Sequence, residues 1–379
     1  MLSTLAFMFA FSVAGVRIAD IVQGVAMRPS VRVDEVRAVY LTSGVAAGSR
    51  FDEFLHLIGT TEVNAFVIDL KDANGRIAFR PITESIRALA PTRVTIRDLP
   101  RRIDAIHARG GLAIARLPVF QDTWYAEQSQ TEAIKQSGGT LWRDGIGGVW
   151  LDPASEQTWL YAANLAQEAA AIGFDEVNID YVRFPSDGPG FSEIEYPYWD
   201  GKEPKREVVR RFLEFFDREV RGRGIAVSAD IFGLVAWAAG DLGIGQHLET
   251  IAPYVDVLAP MVYPSHYRLG FLGKKNPAEF PYEVIRATLD RGHERLAALP
   301  EGVRPSVRPW LQDFQLGAPY GEREVRLEQE AGKDAGSSGW MLWNPRGNYT
   351  LAALQMNPAP LCDQKWCWMR RIAGFRSIP

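Results

Sequence analysis

The chain has only two cysteines in 379 residues, Cys362 and Cys367, both in the tail stretch CDQKWC. A disulfide framework is therefore excluded as the basis of the fold. If the chain is exported the two would pair with each other, and in a reducing compartment they would be idle thiols; neither sits in a catalytic pattern. Histidine is also scarce, with five residues and none at HExxH or comparable spacing, so no metal site is expected. No organic cofactor is implied either. Blocks of five or six like charges are missing, and 42 Lys+Arg against 46 Asp+Glu leave a formal net charge of -4. Neither nucleic acid nor an anionic membrane surface is the expected partner.

An unbroken apolar run occurs only at the start. Residues 1–16 (MLSTLAFMFAFSVAGV) carry no charge, and Arg17 and Asp20 end the run below the roughly 18 residues of a membrane span. Its length is that of a signal-peptide core, which predicts an exported or periplasmic protein. The basic residues that usually precede such a core are missing, so membrane attachment through an uncleaved anchor is the alternative.

What remains is rich in core material, with 47% hydrophobic and 23% charged residues. Eight strand-length apolar runs alternate with helical patterns: 36–43 (VRAVYLTS), 65–72 (AFVIDLKD), 112–120 (LAIARLPVF), 176–184 (EVNIDYVRF), 226–233 (AVSADIFG), 255–264 (VDVLAPMVYP), 308–314 (RPWLQDF) and 339–345 (GWMLWNP). Gly110, Gly173 and Gly224 fall where a helix ends ahead of the next strand. This pattern predicts an α/β fold, a single (β/α)₈ TIM barrel over 30–350, with a hydrophobic segment and linker at 1–29 and a tail at 351–379. A long loop at 121–152, after the third strand, holds Trp124, Trp142 and Trp150. It follows the carboxyl end of a strand, the face on which barrel active sites are built.

Side chains alternate across a strand, so Val177, Ile179 and Tyr181 should face the helices while Asn178 and Asp180 face the barrel axis. The same parity pairs Ser228 with Asp230 and Asp69 with Lys71. Three carboxylates thus converge on one mouth, and Lys71, Arg116, Arg183 and Arg308 are the expected counter-charges. Asp180 and Asp230 are the candidate catalytic pair, because neighbouring acids with divergent environments suit general acid and base chemistry. Asp69 is expected to orient substrate or pair with Lys71. Lys71, Arg116, Arg183, Tyr263, His266 and Gln312 are the remaining polar binding candidates, with Trp124, Trp310 and Trp343 as platforms for sugar rings. Asp180 paired with Arg183 in a loop-fixing bridge is the plain alternative.

The runs WLDPASE, GFDEVNIDYVRFPSDG, VSADIFG, LAPMVYPSHY, RPWLQDF and GWMLWNP resemble a family of glycosyl-hydrolase-like (β/α)₈ domains, related in pattern to chitinase and α-amylase barrels. The resemblance spans roughly residues 36–350, with DYVRFP its most specific element. Chitinases end their fourth-strand acidic ladder in a Glu two residues beyond the last Asp, a position held here by Val182. The α-amylase pattern is closer and implies Asp180 as nucleophile and Asp230 as proton donor, although the amylase donor is a Glu. A carbohydrate substrate and glycosidic hydrolysis follow from the resemblance. The alternatives are a barrel that binds glycan without cleaving it, or another barrel hydrolase such as a phosphoesterase. Against the latter, the loops QLGAPYGE and RGNYT contain no glycine-rich phosphate cradle.

Overall fold

The structure, a computed structural model, describes residues 35–72 and 74–356. The hydrophobic start and the two cysteines lie outside them. No described helix is long and apolar enough to cross a membrane.

All eight expected strands form. They are β1 (Val36–Leu41), β2 (Ala65–Asp69), β3 (Leu112–Pro118), β4 (Glu176–Asp180), β5 (Ala226–Phe232), β6 (Val257–Met261), β7 in two pieces (Ser306–Val307 and Trp310–Gln312) and β8 (Gly339–Trp343). Each pairs in parallel with its sequence neighbours, and β8 returns to β1, with Val36 opposite Gly339, to close the ring. β7 is interrupted at Arg308-Pro309, where proline has no N–H to give to a ladder. The strands are shorter than the apolar runs that announced them.

Helices fill the outer layer as the sequence pattern predicts. In α1 (Glu156–Ile172) the Ser155 side chain accepts from the Thr158 N–H, and Gly173 closes the helix in the left-handed region at φ 110°. Alanines 162, 163, 166 and 169 keep that helix close to the sheet. In α2 (Lys205–Val220), Val208, Val209, Phe212 and Phe216 form the buried stripe at three- and four-residue spacing. The outward strand residues, among them Val177, Ile179, Ala229 and Ile231, pack into this layer.

The inward residues are less uniform. Val36, Ala38, Val67, Ile114 and Met341 make an apolar lining on the side of β8, β1, β2 and β3. On the β4–β5–β7 side the lining is a polar ladder instead. Arg308, fully buried, donates to Glu176. The Ser228 hydroxyl donates to the same Glu176 oxygen at 2.5 Å, and Asn178 donates to Ser228 at 3.0 Å and to Asp230 at 2.8 Å. Arg308 thus serves Glu176 at the start of β4, the end of the barrel remote from the carboxylate mouth. The sequence reading placed its charge among the mouth acids, and the structure corrects this.

The loop at 121–152 is folded rather than irregular. A short helix, Thr123–Gln128, is followed by antiparallel bridges that pair Gln121 with Trp150, Ala133 with Leu151 and Arg143 with Val149. Trp142 and Trp150 are buried. Asp144 organises the turn by accepting from Gln121 (2.6 Å), the Trp150 indole (2.9 Å) and the Gly148 N–H (2.8 Å).

Breaking a buried ion pair by removing one partner strands the other charge. Arg308→Met is therefore expected to cost about 3–5 kcal/mol of stability in urea unfolding. Glu176→Gln added to it should recover part of that loss, and a double variant no more stable than Arg308→Met would refute the pairing.

Candidate active site

Parity within β2, β3, β4 and β5 brings Asp69, Arg116, Asp180 and Asp230 into the barrel mouth. Asn178 on β4 stands opposite Ser228 on β5, so two residues further on Asp180 and Asp230 occupy the same level of adjacent strands. Adjacent strands lie about 4.8 Å apart.

Arg116 is central to the cluster. Its Nη1 reaches Asp69 at 2.9 Å, while Nε and Nη2 reach one oxygen of Asp180 at 3.1 and 2.5 Å. The other oxygen of Asp180 accepts from the Tyr181 N–H at 2.6 Å. The second oxygen of Asp69 accepts from the Tyr40 hydroxyl at 2.7 Å. The guanidinium also lies 5.0 Å from the Trp343 ring and 5.6 Å from that of Tyr40, and these two rings stack on each other at 4.1 Å. Burial works against the Arg116 charge, but Asp180 and Asp69 outweigh it and hold the group well above its ordinary pKa.

Asp230 has a different environment. One of its oxygens receives both protein donors, the Trp310 indole at 2.7 Å and Asn178 at 2.8 Å. Among the described residues the other oxygen has no hydrogen-bond donor. Burial, reinforced by the neighbouring Asp180 charge, pushes the Asp230 carboxyl well above the usual carboxylate range. Its protonated form is thus favoured relative to an ordinary carboxyl, with one oxygen fixed and the other open. Asp69 is also raised by burial, which outweighs the opposing pull of Arg116 and Tyr40.

These groups border a cavity of about 160 Å³, lined by Arg116, Asp180, Tyr181, Arg183 and Asp230. Phe232, Met261, Tyr263, Trp310 and Trp343 complete the lining. Tyr181 reaches the cavity because β4 stops at Asp180 and Tyr181 turns into the left-handed region at φ 55°.

Seven of the residues expected from sequence therefore border one cavity: Arg116, Asp180, Arg183, Asp230, Tyr263, Trp310 and Trp343. Asp69 sits behind Arg116. The others are elsewhere. Lys71 is buried against Asp122 at 2.6 Å and over the Tyr161 ring, towards the helices; it pairs neither with Asp69 nor with the cavity. The reason is that β2 ends at Asp69, so strand parity no longer governs Lys71. Trp124 donates to the Leu89 carbonyl at 2.6 Å with Arg76 over its ring, outside the cavity lining. Gln312 is spent on Ser265 at 2.7 Å and on the Phe314 carbonyl. His266 packs on Tyr263 and Phe314 at the outer edge. Arg183 makes no bridge to Asp180, whose partner is Arg116. Tyr40, Asn178, Tyr181 and Phe232 are the additions; of these, Asn178 shares the inward parity of Asp180 in the sequence. Among the described residues no group of three or more His, Cys, Asp or Glu is placed to hold a metal.

Residues 38–349 match the model of a family described as "putative glycosyl hydrolase domain". The chain belongs to this family. The glycosyl hydrolase-family barrel is similar in shape to the glycoside hydrolase domain of PgaB (BpsB) from Bordetella bronchiseptica, with a TM-score of 0.57, 13% identity, and coverage of 82% of this chain and 94% of that one. It is also similar to an α-galactosidase from Thermus thermophilus, with a TM-score of 0.52, 14% identity, and 91% and 63% coverage. A family 20 β-N-acetylglucosaminidase gives a TM-score of 0.52 at 12% identity, with 90% and 73% coverage. At such identities the likeness is one of fold. Among curated proteins no sequence matches the chain.

The raised carboxyl of Asp230 has a thermodynamic consequence whose sign is fixed. Between the ordinary carboxylate value and the raised folded value, the native state keeps a proton that the unfolded chain releases. Stability therefore falls as pH rises through that window. Asp230→Asn imitates the protonated form and removes the titration. The variant should be more stable than the parent at pH 7, with the gap closing near pH 4. Urea unfolding at both pH values checks this, and a gap unchanged with pH would contradict a raised Asp230.

Proposed function

We propose that this barrel hydrolyses a glycosidic bond of an exported polysaccharide or cell-envelope glycan, with Asp230 as general acid and Asp180 as nucleophile. The observation that carries the reading is the division of labour between two neighbouring carboxyls. Asp180 is paired with a guanidinium, whereas Asp230 is buried, raised in pKa, and fixed by two neutral donors on one oxygen only. Two titratable groups pushed apart by their surroundings are what acid and nucleophile roles require.

In this mechanism the free oxygen of Asp230 delivers its proton to the glycosidic oxygen as the bond to the anomeric carbon breaks. Asp180 attacks that carbon from the opposite face, forming a glycosyl ester. A carboxylate offers about four acceptor positions, and the Arg116 and Tyr181 donors take three, so one lone pair remains for attack. Water then attacks the ester while Asp230, now ionised, takes up its proton, and Asp180 departs as carboxylate. Placement of the two acids at one level of adjacent strands fits the short separation of retaining enzymes, about 5–5.5 Å. Trp343, half-buried in the cavity lining, offers an aromatic surface for the ring, and Tyr263 a hydroxyl.

Asp180→Asn and Asp230→Asn should each lower kcat/KM on a cleavable glycan by roughly 10²–10⁴-fold. Asp230→Asn should lose less on an aryl glycoside whose leaving group needs no proton. NMR of the first-formed product should show retained anomeric configuration. Inversion would reassign Asp180 to activating water, and full activity in either Asn variant would remove the pair from catalysis.

A further inference from the structure

The four cations that the sequence associates with the mouth have different fates. Arg116 is divided between Asp69 and Asp180, Lys71 is held by Asp122, and Arg308 by Glu176. Arg183 lines the cavity and, among the described residues, has no carboxylate partner within ion-pair distance.

Its surroundings fix its position without neutralising it. The guanidinium lies 4.7 Å from the Trp150 ring centre, 4.9 Å from Phe232 and 5.4 Å from Tyr181, a three-sided aromatic box. Its Nη1 donates to the Phe184 carbonyl at 3.1 Å and approaches the Ser186 hydroxyl at 3.4 Å. Neither acceptor is charged. Among the described residues no protein acceptor meets Nε or Nη2, the two nitrogens that form one edge of the guanidinium fork. Burial disfavours the charge and holds the group below its ordinary pKa, although the carboxylates of Asp180, Asp187 and Asp144 oppose the effect. A guanidinium fork held flat and unpaired beside a cavity matches the planar, two-oxygen geometry of an acidic group on a ligand.

We propose that the substrate is an acidic glycan, and that Arg183 binds an anionic group of the sugar seated next to Asp180 and Asp230. This rests on the glycan reading above and names the chemistry of its ligand. The planar edge formed by Nε and Nη2 matches the two coplanar oxygens of a sugar carboxylate, and sulfate or phosphate esters share the same recognition chemistry. Trp150, Tyr181 and Phe232 act as positioning residues, holding the fork in one plane and limiting its contact with water. Arg183 is a specificity determinant: a neutral sugar would leave its charge partly desolvated and unpaired, so the site discriminates against neutral glycans as well as favouring acidic ones.

The test is calorimetric titration of the full chain with oligouronates, with the same oligosaccharides after carboxyl reduction, and with sulfated and phosphate-bearing oligosaccharides, alongside cleavage assays. Wild type should bind an acidic series more tightly than its neutral counterpart by roughly 10- to 100-fold, with the preference shrinking as salt is raised. Arg183→Gln should reduce the preference to near parity. Arg183→Lys, which keeps the charge and most of the packing but not the fork, should retain an intermediate preference, so that a misfolded Gln variant would not leave the question open. Tight binding by the sulfated or phosphorylated series alone would assign the anion to an ester rather than a carboxylate, still through Arg183. Equal binding of acidic and reduced glycans, a preference unchanged in both variants, or no binding of any acidic series would overturn the proposal. Arg183-dependent binding without cleavage would leave it standing while removing the hydrolase reading. Cleavage of neutral glycan that needs Asp180 and Asp230 but not Arg183 would do the reverse.

Discussion

One buried guanidinium holds the mouth of this barrel together. Arg116 stands on β3, between β2 and β4, and takes Asp69 from one neighbour and Asp180 from the other. Without it, two buried carboxylates on flanking strands would have no cation, and a single uncompensated charge of that kind is worth several kcal/mol. The bridge has a second effect, on orientation. By engaging Asp180 through two nitrogens on the same oxygen, Arg116 fixes the plane of that carboxylate while the Tyr181 N–H holds its other oxygen.

Asp230 gains its character from what Arg116 does not give it. The donors it receives, the Trp310 indole and the Asn178 amide, are neutral, and they stabilise a carboxylate less than a guanidinium does. Burial then dominates and raises its pKa, with the Asp180 charge adding to the effect. The ladder below it matters here. Asn178 can present its amide to Asp230 because its position is set by Ser228, which is set in turn by Glu176 and Arg308. A barrel interior is ordinarily filled by layers of branched apolar side chains. Here one side of those layers is replaced by a hydrogen-bonded column that ends at the proposed acid, and the apolar lining on the β1–β2 side provides the remaining packing.

How much of this was legible follows from where strand parity applies. Within strands it worked: Val177 and Ile179 went outward, Asn178, Asp180 and Asp230 inward, and the eight-fold alternation gave the closed barrel. Beyond strand ends it failed. Lys71 follows Asp69 by two residues, but β2 has already ended, and the side chain turns to Asp122 and the helices. Tyr181 leaves the outward face for the cavity for the same reason, through a positive φ that no composition signal announces at a tyrosine. Parity also says nothing of height along the barrel axis. Arg308 does point inward, yet its partner is Glu176 at the far end, because the register between β4 and β7 is not written in either strand alone. Tyr40 was missed because an inward tyrosine in VRAVYL reads as amphipathic core; its role appears only when β1 and β2 are seen to place its hydroxyl on Asp69. The aromatic residues of the long loop showed the opposite problem, in that composition marked them all alike. Trp150 forms a wall of the Arg183 box, whereas Trp124 is tied to Leu89 outside the cavity.

The substitution of aspartate for the glutamate donor of the amylase pattern is connected to the pKa of Asp230. A side chain one methylene shorter leaves its carboxyl lower in the barrel, at the level of the Asn178 amide and the Trp310 indole that hold it. Lower in the barrel also means deeper burial, and burial is the largest cause of the raised pKa. Depth is therefore the larger cause of the raised pKa, and the neighbouring Asp180 charge adds to it. It also sets a demand on the ligand, which must descend between Trp343, Trp310 and Tyr263 for its glycosidic oxygen to meet the open oxygen of Asp230. A ligand that descends that far loses water from its own polar groups, and the groups that can replace that water are few. Arg183, at the edge of the same cavity with two N–H groups uncommitted, is one of them. A short acid and an unpaired cation are thus complementary features of one site: the first requires a deeply seated sugar, and the second compensates a charged one for being there.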